Sequence, residues 1–443
     1  MSSRYPRHPG VGRSAGGVLD AALSRRTLLR GLALAGGAAA LPGLAACGGD
    51  SGSSSNAVSF GSNFSDALPK KALAEVLRTF ERGSKLDVGM TTSDHEQYQE
   101  NINAYLQGGA DDVWAWFAGY RMQFFAAQGF AGDLSDLWGR IGSQYTPAFK
   151  QASTGEDGNQ YFVPWYYYPW AVFYRRSLFE EKGYTVPATL DDFEALCQEM
   201  QSDGLLPLCF ADKEGWPAMG MFDALNFRTN GYDFHVRLLA GEESWESDEV
   251  KQVFDTWRRL MPYHQDGALG LDWLDAVPKL VNKEAGMFYL GLFIGQAFTS
   301  KEDQDDLDFF TFPEVTPEFG TDTVEAPIDG WMMSPEPDNE EGALELLEYL
   351  GNARSQEVYI ATYPNSVAAS SEADTSGYTS LQRKAVELVE GATNVTQFLD
   401  RDTRPDFAST VMIPSLQQFI REPDDIDGLC ASIEEQKQRI FGG

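Results

Sequence analysis

Short apolar runs alternate with helix-period patterns along most of this chain. Strand-like runs lie at residues 58–60, 86–90 and 113–116, and the pattern returns at residues 205–210 and 285–290. Because strands that alternate with amphipathic helices form parallel βαβ units, the pattern predicts an α/β fold. The helical patterns place their apolar residues on one face, at Leu73, Val76, Leu77 and Phe80, at Phe193, Leu196, Cys197 and Met200, and at Val250, Val253, Phe254, Trp257 and Leu260.

The length of the chain indicates that this α/β fold is divided into two lobes. The sequence has 443 residues, of which 43% are hydrophobic and 13% are aromatic. A single hydrophobic core stops growing at roughly 250–300 residues. We therefore expect two lobes, and the composition supplies enough apolar material for both cores.

The N-terminal segment departs from the alternating pattern. A pair of arginines at residues 25–26 precedes an apolar stretch at residues 31–44, which is followed by Cys47. That stretch is shorter than the roughly 20 residues that span a bilayer, so residues 1–46 are predicted to be a cleaved export signal. The Leu-Ala-Ala-Cys pattern resembles the bacterial lipobox, which implies a diacylglyceryl group on Cys47. The Gly/Ser-rich composition that follows Cys47 predicts a flexible linker, so residues 47–56 comprise the lipid-attachment cysteine and this linker. The arginine pair resembles a twin-arginine signal, and ordinary Sec export is the alternative.

The charge of the chain restricts its partners. Asp and Glu number 66 against 34 Lys and Arg, which gives a formal net charge of −32. Such a surface repels phosphate backbones and anionic lipid headgroups. Nucleic acid is therefore excluded as a partner, and membrane contact is expected through the lipid alone.

The cysteines leave one question open. Cys197 lies on the apolar face of a helical pattern, and Cys209 lies in the strand-like run that follows it. A helix packed on the next strand brings two such residues close, so a disulfide and a pair of buried thiols are both compatible with the pattern. Cys430 has no obvious partner. No spacing of cysteines or histidines matches a metal site, and we predict neither a metal nor a cofactor.

Aromatic residues gather where strands are predicted to end. They are dense at residues 113–121 and 164–170, and they recur with polar neighbours at residues 215–219 and 329–331. In open α/β sheets, ligands bind outside the carboxyl ends of the strands. An aromatic face suits the C–H side of a sugar ring, and nearby Asp, Asn and Arg can bind its hydroxyl groups. The pattern thus favours a neutral ligand rich in hydroxyl groups.

Five segments carry a resemblance to a known family: residues 112–116, 124–133, 161–164, 174–179 and 326–331. In their order and spacing, the chain resembles the extracytoplasmic solute-binding proteins of bacterial carbohydrate ABC importers, the large family that includes maltodextrin-binding proteins. The resemblance implies a two-lobed periplasmic-binding-protein type II fold with a ligand cleft between the lobes.

The same resemblance implies domain boundaries. Lobe I is expected to comprise residues 57–165 plus 328–365, and lobe II residues 166–327 plus 366–443. Three segments are expected to cross between the lobes, near residues 164–168, 325–329 and 364–367.

Ligand-binding positions are also implied by the resemblance, where a local motif matches. Phe293 stands where relatives often have Trp, which leaves the number of sugar subsites open. The implied positions are Asn63, Asp94, His95, Trp116, Arg121, Tyr166, Tyr168, Trp216, Asp223, Phe293, Asp329, Trp331 and Arg404.

The implied function is to bind a sugar or oligosaccharide outside the cell and deliver it to an ABC permease coupled to a cytoplasmic ATPase. The protein is expected to be a monomer, lipid-anchored to the outer face of the cell membrane, with no enzymatic activity. A surface-anchored glycoside hydrolase is the alternative from another class, because two carboxylates in an aromatic cleft suffice for that chemistry. A peptide or polyamine ligand is a further alternative, since it suits the acidic charge.

Overall fold

Two β-sheets organise the described part of the chain, residues 56–442 of a computed structural model. A six-stranded sheet has the order β11-β4-β10-β3-β1-β2, a four-stranded sheet has the order β6-β7-β5-β8, and β12 pairs with β9 separately. The strands are β1 (Ala57–Ser62), β2 (Asp87–Thr92), β3 (Val113–Phe117), β4 (Val163–Tyr167), β5 (Trp170–Arg175), β6 (Leu206–Cys209), β7 (Ala285–Gly291), β8 (Leu307–Phe310), β9 (Thr323–Glu325), β10 (Ile328–Met333), β11 (Val367–Ala368) and β12 (Asn394–Thr396).

Helices cover the faces of these sheets. Short 3-10 helices lie at Gly142–Gln144, Met261–Tyr263, Ala268–Gly270 and Leu292–Ala297, and a π-helix lies at Ala408–Met412. The α-helices are α1 (Ala67–Gly83), α2 (His95–Glu100), α3 (Ile102–Gln107), α4 (Tyr120–Ala127), α5 (Ser135–Ile141), α6 (Pro147–Ala152), α7 (Arg176–Lys182), α8 (Leu190–Ser202), α9 (Trp216–Leu239), α10 (Asp248–Leu260), α11 (Trp273–Ala276), α12 (Pro278–Val281), α13 (Lys301–Asp306), α14 (Glu340–Leu350), α15 (Ala353–Thr362), α16 (Ser380–Glu390), α17 (Leu399–Asp402), α18 (Pro405–Phe407), α19 (Ile413–Arg421) and α20 (Ile426–Phe441).

The first sheet forms the centre of lobe I. Strand β1 runs parallel to both β2 and β3, and β10 runs antiparallel between β3 and β4. Every residue of β3 and β10 is buried, as expected for central strands covered on both faces. The carboxyl ends of β1 and β2 therefore lie at the same edge of this sheet.

The second sheet forms the centre of lobe II. Strand β7 pairs in parallel with β6 and antiparallel with β5, which also pairs with β8. The chain passes from β4 in the first sheet to β5 in the second over residues 168–169. It returns from β9 to β10 over residues 326–327. After β11 it continues to α16, where Lys384 contacts Asp308 of β8. The two-lobed α/β fold predicted from the sequence is confirmed.

The helical periodicity of the sequence predicts the buried faces of most of the helices for which it was used. Helix α1 buries the predicted face of Leu73, Val76, Leu77 and Phe80. The helical segment after β2 is divided into α2 and α3 at Asn101. The capping box of α8 is present, because the Thr189 side chain accepts a hydrogen bond from the Asp192 backbone and the Asp192 side chain accepts one in return.

The disulfide is absent, so that option is wrong. Cys197 and Cys209 are both free and buried, and so is Cys430. The Cys209 thiol donates a weak hydrogen bond to the carbonyl oxygen of Ala276, with Sγ 3.8 Å from the oxygen. Burial raises the pKa of the Cys209 thiol to about 12. Two thiols packed in separate apolar surroundings stay protonated and unreactive.

The export signal, Cys47 and most of the linker lie outside the described residues. Within residues 56–442, no helix combines the length and the apolar character required to cross a bilayer.

Candidate functional site

A cavity of about 760 Å³ lies between the two sheets. Residues that follow β1 and β2 line it from lobe I, and residues that follow β6 and β7 line it from lobe II. Its position outside the carboxyl ends of β1 and β2 is where an open α/β fold binds ligands. This volume falls in the range of small-molecule sites.

The strand-end residues of lobe I form one wall. Asn63 follows β1 and is 2% exposed, and its side-chain amide lies 3.3 Å from Nδ1 of His95. Asp94 follows β2, and its carboxylate accepts a hydrogen bond from the backbone N–H of Gln97 at the start of α2. These three predicted residues line the cavity together, because two parallel strands end at the same edge.

A buried ionic network forms the floor. The Arg401 guanidinium donates to Oδ1 of Asp329 and to the hydroxyl of Tyr168, each over 2.8 Å. The Tyr166 hydroxyl donates to the other oxygen of Asp329 over 3.0 Å. Burial lowers the pKa of the Arg401 guanidinium. The nearby Tyr168 and Asp329 raise this pKa by more than burial lowers it, so the guanidinium stays charged. The charged head is thus held in a fixed orientation at the base of the cavity.

An aromatic wall faces this floor from lobe II. The ring of Phe293 lies 5.5 Å from Tyr168, 5.9 Å from Trp216 and 5.3 Å from Trp273, centroid to centroid. Trp170 lies 5.9 Å from Trp216 with the two rings nearly perpendicular. These edge-to-face contacts hold each ring rigidly. All five rings line the cavity, so the wall offers flat apolar surface beside charged and polar groups.

Several residues that line this cavity carry a buried polar atom that has no hydrogen-bond partner in the described part of the chain. Burying a polar atom without a partner costs about 1–3 kcal/mol, so such atoms are uncommon in folded proteins. Donors and acceptors are both represented, which matches the dual character of hydroxyl groups. The atoms are Trp170 Nε1, Glu214 Oε2, Trp216 Nε1, Ser366 Oγ, Asp400 Oδ1 and Arg401 Nε.

The rim of the cavity is acidic. Burial raises the pKa of Glu214 to about 7, and the nearby carboxylates of Glu96 and Asp272 raise it as well. Burial also raises the pKa of Glu96, which lies on α2 of the opposite lobe. Acidic groups from both lobes therefore oppose one another at the entrance.

Eight of the predicted ligand positions line the cavity. Five others do not, and for each the structure shows a different role. The eight are Asn63, Asp94, His95, Tyr166, Tyr168, Trp216, Phe293 and Asp329, and the five are Trp116, Arg121, Asp223, Trp331 and Arg404.

Trp116 and Trp331 lie in the core of lobe I. Trp116 is 1% exposed, and its indole N–H donates to the carbonyl oxygen of Arg121. Trp331 is fully buried, with its ring 4.6 Å from that of Trp165 and 5.0 Å from that of Phe60. Both rings come from central strands covered on both faces, so burial replaces the ligand contact that was expected.

The other three residues form ion pairs or hydrogen bonds with residues near the cavity and do not line it. Arg121 donates to Asp400 over 2.9 Å in a buried ion pair. The Asp223 carboxylate accepts a hydrogen bond from the backbone N–H of Leu399 over 2.6 Å, and burial raises the pKa of Asp223 well above its usual range. Arg404 pairs with Asp406 at 2.8 Å. Arg121 and Asp223 therefore stabilise the position of α17, which contains both Asp400 and Leu399.

Arg401 and Asp400 are the functional candidates that the sequence analysis missed. The sequence Asp400-Arg401-Asp402-Thr403-Arg404 offers two arginines three residues apart, and only the fold decides which one reaches the cleft. Trp170 was likewise left out, although it belongs to the noted aromatic stretch at residues 164–170. An Asp-Arg pair inside an acidic loop beside strand-end aromatics was the available signal.

Comparison with known proteins identifies the family to which this two-lobed fold and its cleft belong. The model of the bacterial extracellular solute-binding protein family matches residues 61–357. The chain belongs to this family. The members of this family are extracellular solute-binding proteins.

This solute-binding protein is similar to a solved structure over most of its length. The bacterial solute receptor AcbH, described as having an exclusive substrate preference for β-D-galactopyranose, is 44% identical. The match has a TM-score of 0.85 and covers 87% of this chain and 99% of AcbH.

Two curated relatives are more distant. An ABC transporter extracellular-binding protein of Pyrococcus horikoshii is 25% identical over 330 residues, which is 73% of each chain. A probable sugar-binding periplasmic protein of Mesorhizobium japonicum is 26% identical over 204 residues, which is 44% of this chain and 47% of the relative.

Proposed function

We propose that this protein is the sugar-binding receptor of an ABC importer. The observation that carries the proposal is that residues which line the cavity beside the aromatic wall hold buried donors and acceptors without a hydrogen-bond partner among the described residues. A pyranose presents both chemical faces that this arrangement requires, namely axial C–H groups for the rings and hydroxyl groups for the polar atoms. A purely apolar ligand leaves the polar atoms unpaired, which is costly.

The floor of the cavity supplies the strongest contacts in this proposal. Arg401 Nε and Asp400 Oδ1 form an ion pair at 3.8 Å, and neither atom has a hydrogen-bond partner among residues 56–442. A donor and an acceptor at this separation can engage adjacent hydroxyl groups of one sugar ring. Because both partners are charged and buried, each hydrogen bond is stronger than one between neutral groups.

A hexopyranose is the proposed ligand class, with D-galactose as the first candidate. The preference of AcbH for β-D-galactopyranose supports this choice, since AcbH is 44% identical over nearly its full length. The probable sugar-binding periplasmic relative supports the broader class. The volume of the cavity also accommodates a short oligosaccharide, so di- and trisaccharides belong in the test.

The proposed mechanism is closure of the lobes around the sugar. Asn63 and Asp329 line the cavity from lobe I, whereas Trp216 and Phe293 line it from lobe II. A ligand that contacts both sides binds the closed form more tightly and shifts the population towards it. The closed form then docks on the permease, and ATP hydrolysis by a separate subunit drives uptake. No covalent bond of the ligand breaks.

The lobe boundaries enter this proposal as given in the sequence analysis, with crossings near residues 164–168, 325–329 and 364–367. The passage from β4 to β5 and from β9 to β10 supports the first two crossings. Support for the third comes from α16, which follows β11 of the first sheet and contacts β8 of the second through Lys384 and Asp308.

Lipid anchoring at Cys47 completes the proposal. The Leu-Ala-Ala-Cys pattern and the paired arginines at residues 25–26 support it. A receptor tethered outside the membrane stays close to its permease, and the Gly/Ser linker provides reach. Metabolic labelling with radioactive palmitate should mark the wild-type protein and leave Cys47→Ala unmarked. Label on the variant would contradict anchoring at this residue.

Isothermal titration calorimetry tests the ligand. The panel comprises D-galactose, D-glucose, lactose and raffinose, with spermidine and a tripeptide for the alternative ligand classes. We expect saturable binding of a sugar with one site per chain. Binding of spermidine alone would overturn the proposal in favour of a polyamine receptor, and release of new reducing ends from lactose or raffinose would indicate a glycoside hydrolase.

A further inference from the structure

One short turn of lobe II touches lobe I at Asp66 and the third crossing segment at Asn365. This turn, residues 291–297, begins at the end of β7 and includes the 3-10 helix Leu292–Ala297. Leu292, Ile294 and Phe298 are fully buried in lobe II, so the turn is anchored firmly to that lobe. We call it the bridging turn.

The first point of contact is a hydrogen bond. Nε2 of Gln296 donates to Oδ2 of Asp66 over 3.2 Å. Asp66 precedes α1, and its side chain does not cap the backbone of that helix. Aspartate at a helix N-cap ordinarily accepts from the helix N–H groups. Here the carboxylate faces the other lobe instead, which indicates that the bridging contact determines its orientation.

The second point of contact depends on a glycine. A Cβ atom at Gly295 would lie 2.2 Å from Oδ1 of Asn365, the residue that stands two positions before β11. The turn is also tightly packed at Gly291, where a Cβ atom would lie 2.4 Å from the Phe293 ring of the same turn and 3.0 Å from Cδ2 of Tyr168. Two glycines thus let the turn hold Phe293 against the aromatic wall and reach Asn365 at the same time.

We propose that the bridging turn is a latch that stabilises the closed form, through the bond from Gln296 to Asp66 and the close approach of Gly295 to Asn365. The inference rests on the proposed function, because it assigns the control of sugar affinity to contacts between the lobes. Phe293 lies in the turn and lines the cavity, so the element that meets the ligand also carries the latch. Gln296, Asp66 and Asn365 act as positioning residues in this mechanism.

The contribution of the latch can be measured as a change in sugar affinity, because the affinity depends on the population of the closed form. If only the closed form binds sugar tightly, the apparent dissociation constant rises by the factor by which the closed population falls. That factor is the same for every sugar. A residue that contacts the ligand directly affects different sugars by different factors.

The central variant is Gln296→Glu, which sets two carboxylates against each other across the lobes. We expect about a tenfold or greater loss of affinity for D-galactose, from like-charge repulsion in the closed form. A second panel sugar that binds the wild-type protein should lose affinity by the same factor. The ligand-free melting temperature reports any damage to folding, and Gln418→Glu on the exposed side of α19 controls for the added charge.

A swapped pair separates the latch from direct contact. In Asp66→Asn/Gln296→Glu, the asparagine amide donates to the glutamate, so the hydrogen bond is restored with its direction reversed. Asn is as good an N-cap residue as Asp, which leaves α1 undisturbed. We expect the swapped protein to recover most of the affinity that Gln296→Glu loses. Failure to recover, or unequal losses for two sugars, would overturn the latch.

A cross-linking experiment is independent of any sugar. The variant Asp66→Cys/Gln296→Cys should be joined within one chain by a short bismaleimide, and a sugar that binds should accelerate the reaction. Absence of cross-linking under both conditions would overturn the latch even if the protein binds sugar. If the protein cross-links efficiently but binds no sugar from the panel, the contact between the lobes is supported and the proposed function is refuted.

Discussion

Arg401 and Asp329 form a buried ion pair at the base of the cavity, with Nη1 of the guanidinium 2.8 Å from Oδ1 of the carboxylate. The two residues are 72 positions apart in sequence. Asp329 lies on the central strand β10, and Arg401 lies on the short helix α17. The pair therefore fixes a charged side chain of the α17 segment against the sheet of lobe I, beneath the place where the ligand is proposed to bind.

Arg401→Lys should weaken sugar binding. Lysine keeps the positive charge but cannot reach Asp329, Tyr168 and the ligand at once with a single ammonium group. We expect a loss of about 1–3 kcal/mol, or roughly 5- to 150-fold in affinity, measured by calorimetry with D-galactose. Arg404→Lys is the matched control, because Arg404 lies off the cavity and pairs with Asp406. Equal losses in both variants would contradict the assignment.

Trp216→Ala should reduce affinity while leaving folding nearly intact. Trp216 lies at the start of α9, is only partly buried and lines the cavity. Removing a ring that stacks on the sugar should cost about 1–2 kcal/mol of binding, or roughly five- to thirtyfold in affinity. Calorimetry and a ligand-free melting curve together check this outcome. Unchanged affinity would remove Trp216 from the site.

Trp116→Ala should show the opposite behaviour. Its ring is buried among the Trp114, Phe117 and Phe125 rings of lobe I and is 1% exposed. Truncating a buried Trp leaves a large cavity and costs about 3–5 kcal/mol of folding free energy. Urea unfolding should show this loss, and affinity measured well below the transition should change little. A stable variant that no longer binds sugar would return Trp116 to the ligand site.

Acid should destabilise the protein through two buried histidines. Burial lowers the pKa of His235 to about 3 and that of His264 to about 4. In the unfolded chain both protonate near pH 6.5, so between that pH and their folded values the unfolded state binds more protons. Each histidine then removes about 1.4 kcal/mol of stability per pH unit as pH falls.

His264→Phe tests this prediction. The imidazole of His264 packs 4.6 Å from the Phe210 ring, and neither of its nitrogens has a hydrogen-bond partner in the described residues. The variant should show a shallower fall in urea-unfolding free energy between pH 6.5 and pH 4.5 than the wild-type protein. An identical pH profile for both proteins would show that His264 is not buried in the neutral form.

Reducing agent should leave the stability unchanged. Cys197, Cys209 and Cys430 are free and buried, so no covalent link among them constrains the unfolded chain. We expect the same melting temperature with and without dithiothreitol, and slow reaction of these three thiols with a maleimide until denaturant is added. A fall in melting temperature on reduction would reveal a disulfide and contradict the structure.

The sequence alone determined the alternation of strands and helices, because periodicity reports which face of each element is buried. It also indicated that Asn63, Asp94 and His95 lie at strand ends, since the carboxyl ends of parallel strands meet at one edge. Both conclusions depend on local spacing, which the sequence displays directly.

The tertiary structure decided which aromatic and charged residues reach the cleft. Trp116 and Trp216 look alike in sequence, yet central strand β3 buries the first and the start of α9 presents the second. The packing of the two lobes likewise decides that Arg401 reaches the cavity and Arg404 does not. It also brings Gln296 to Asp66, which lies 230 positions away in the sequence. Periodicity records burial along one element, whereas these contacts join elements whose relative placement is set only when both cores have formed.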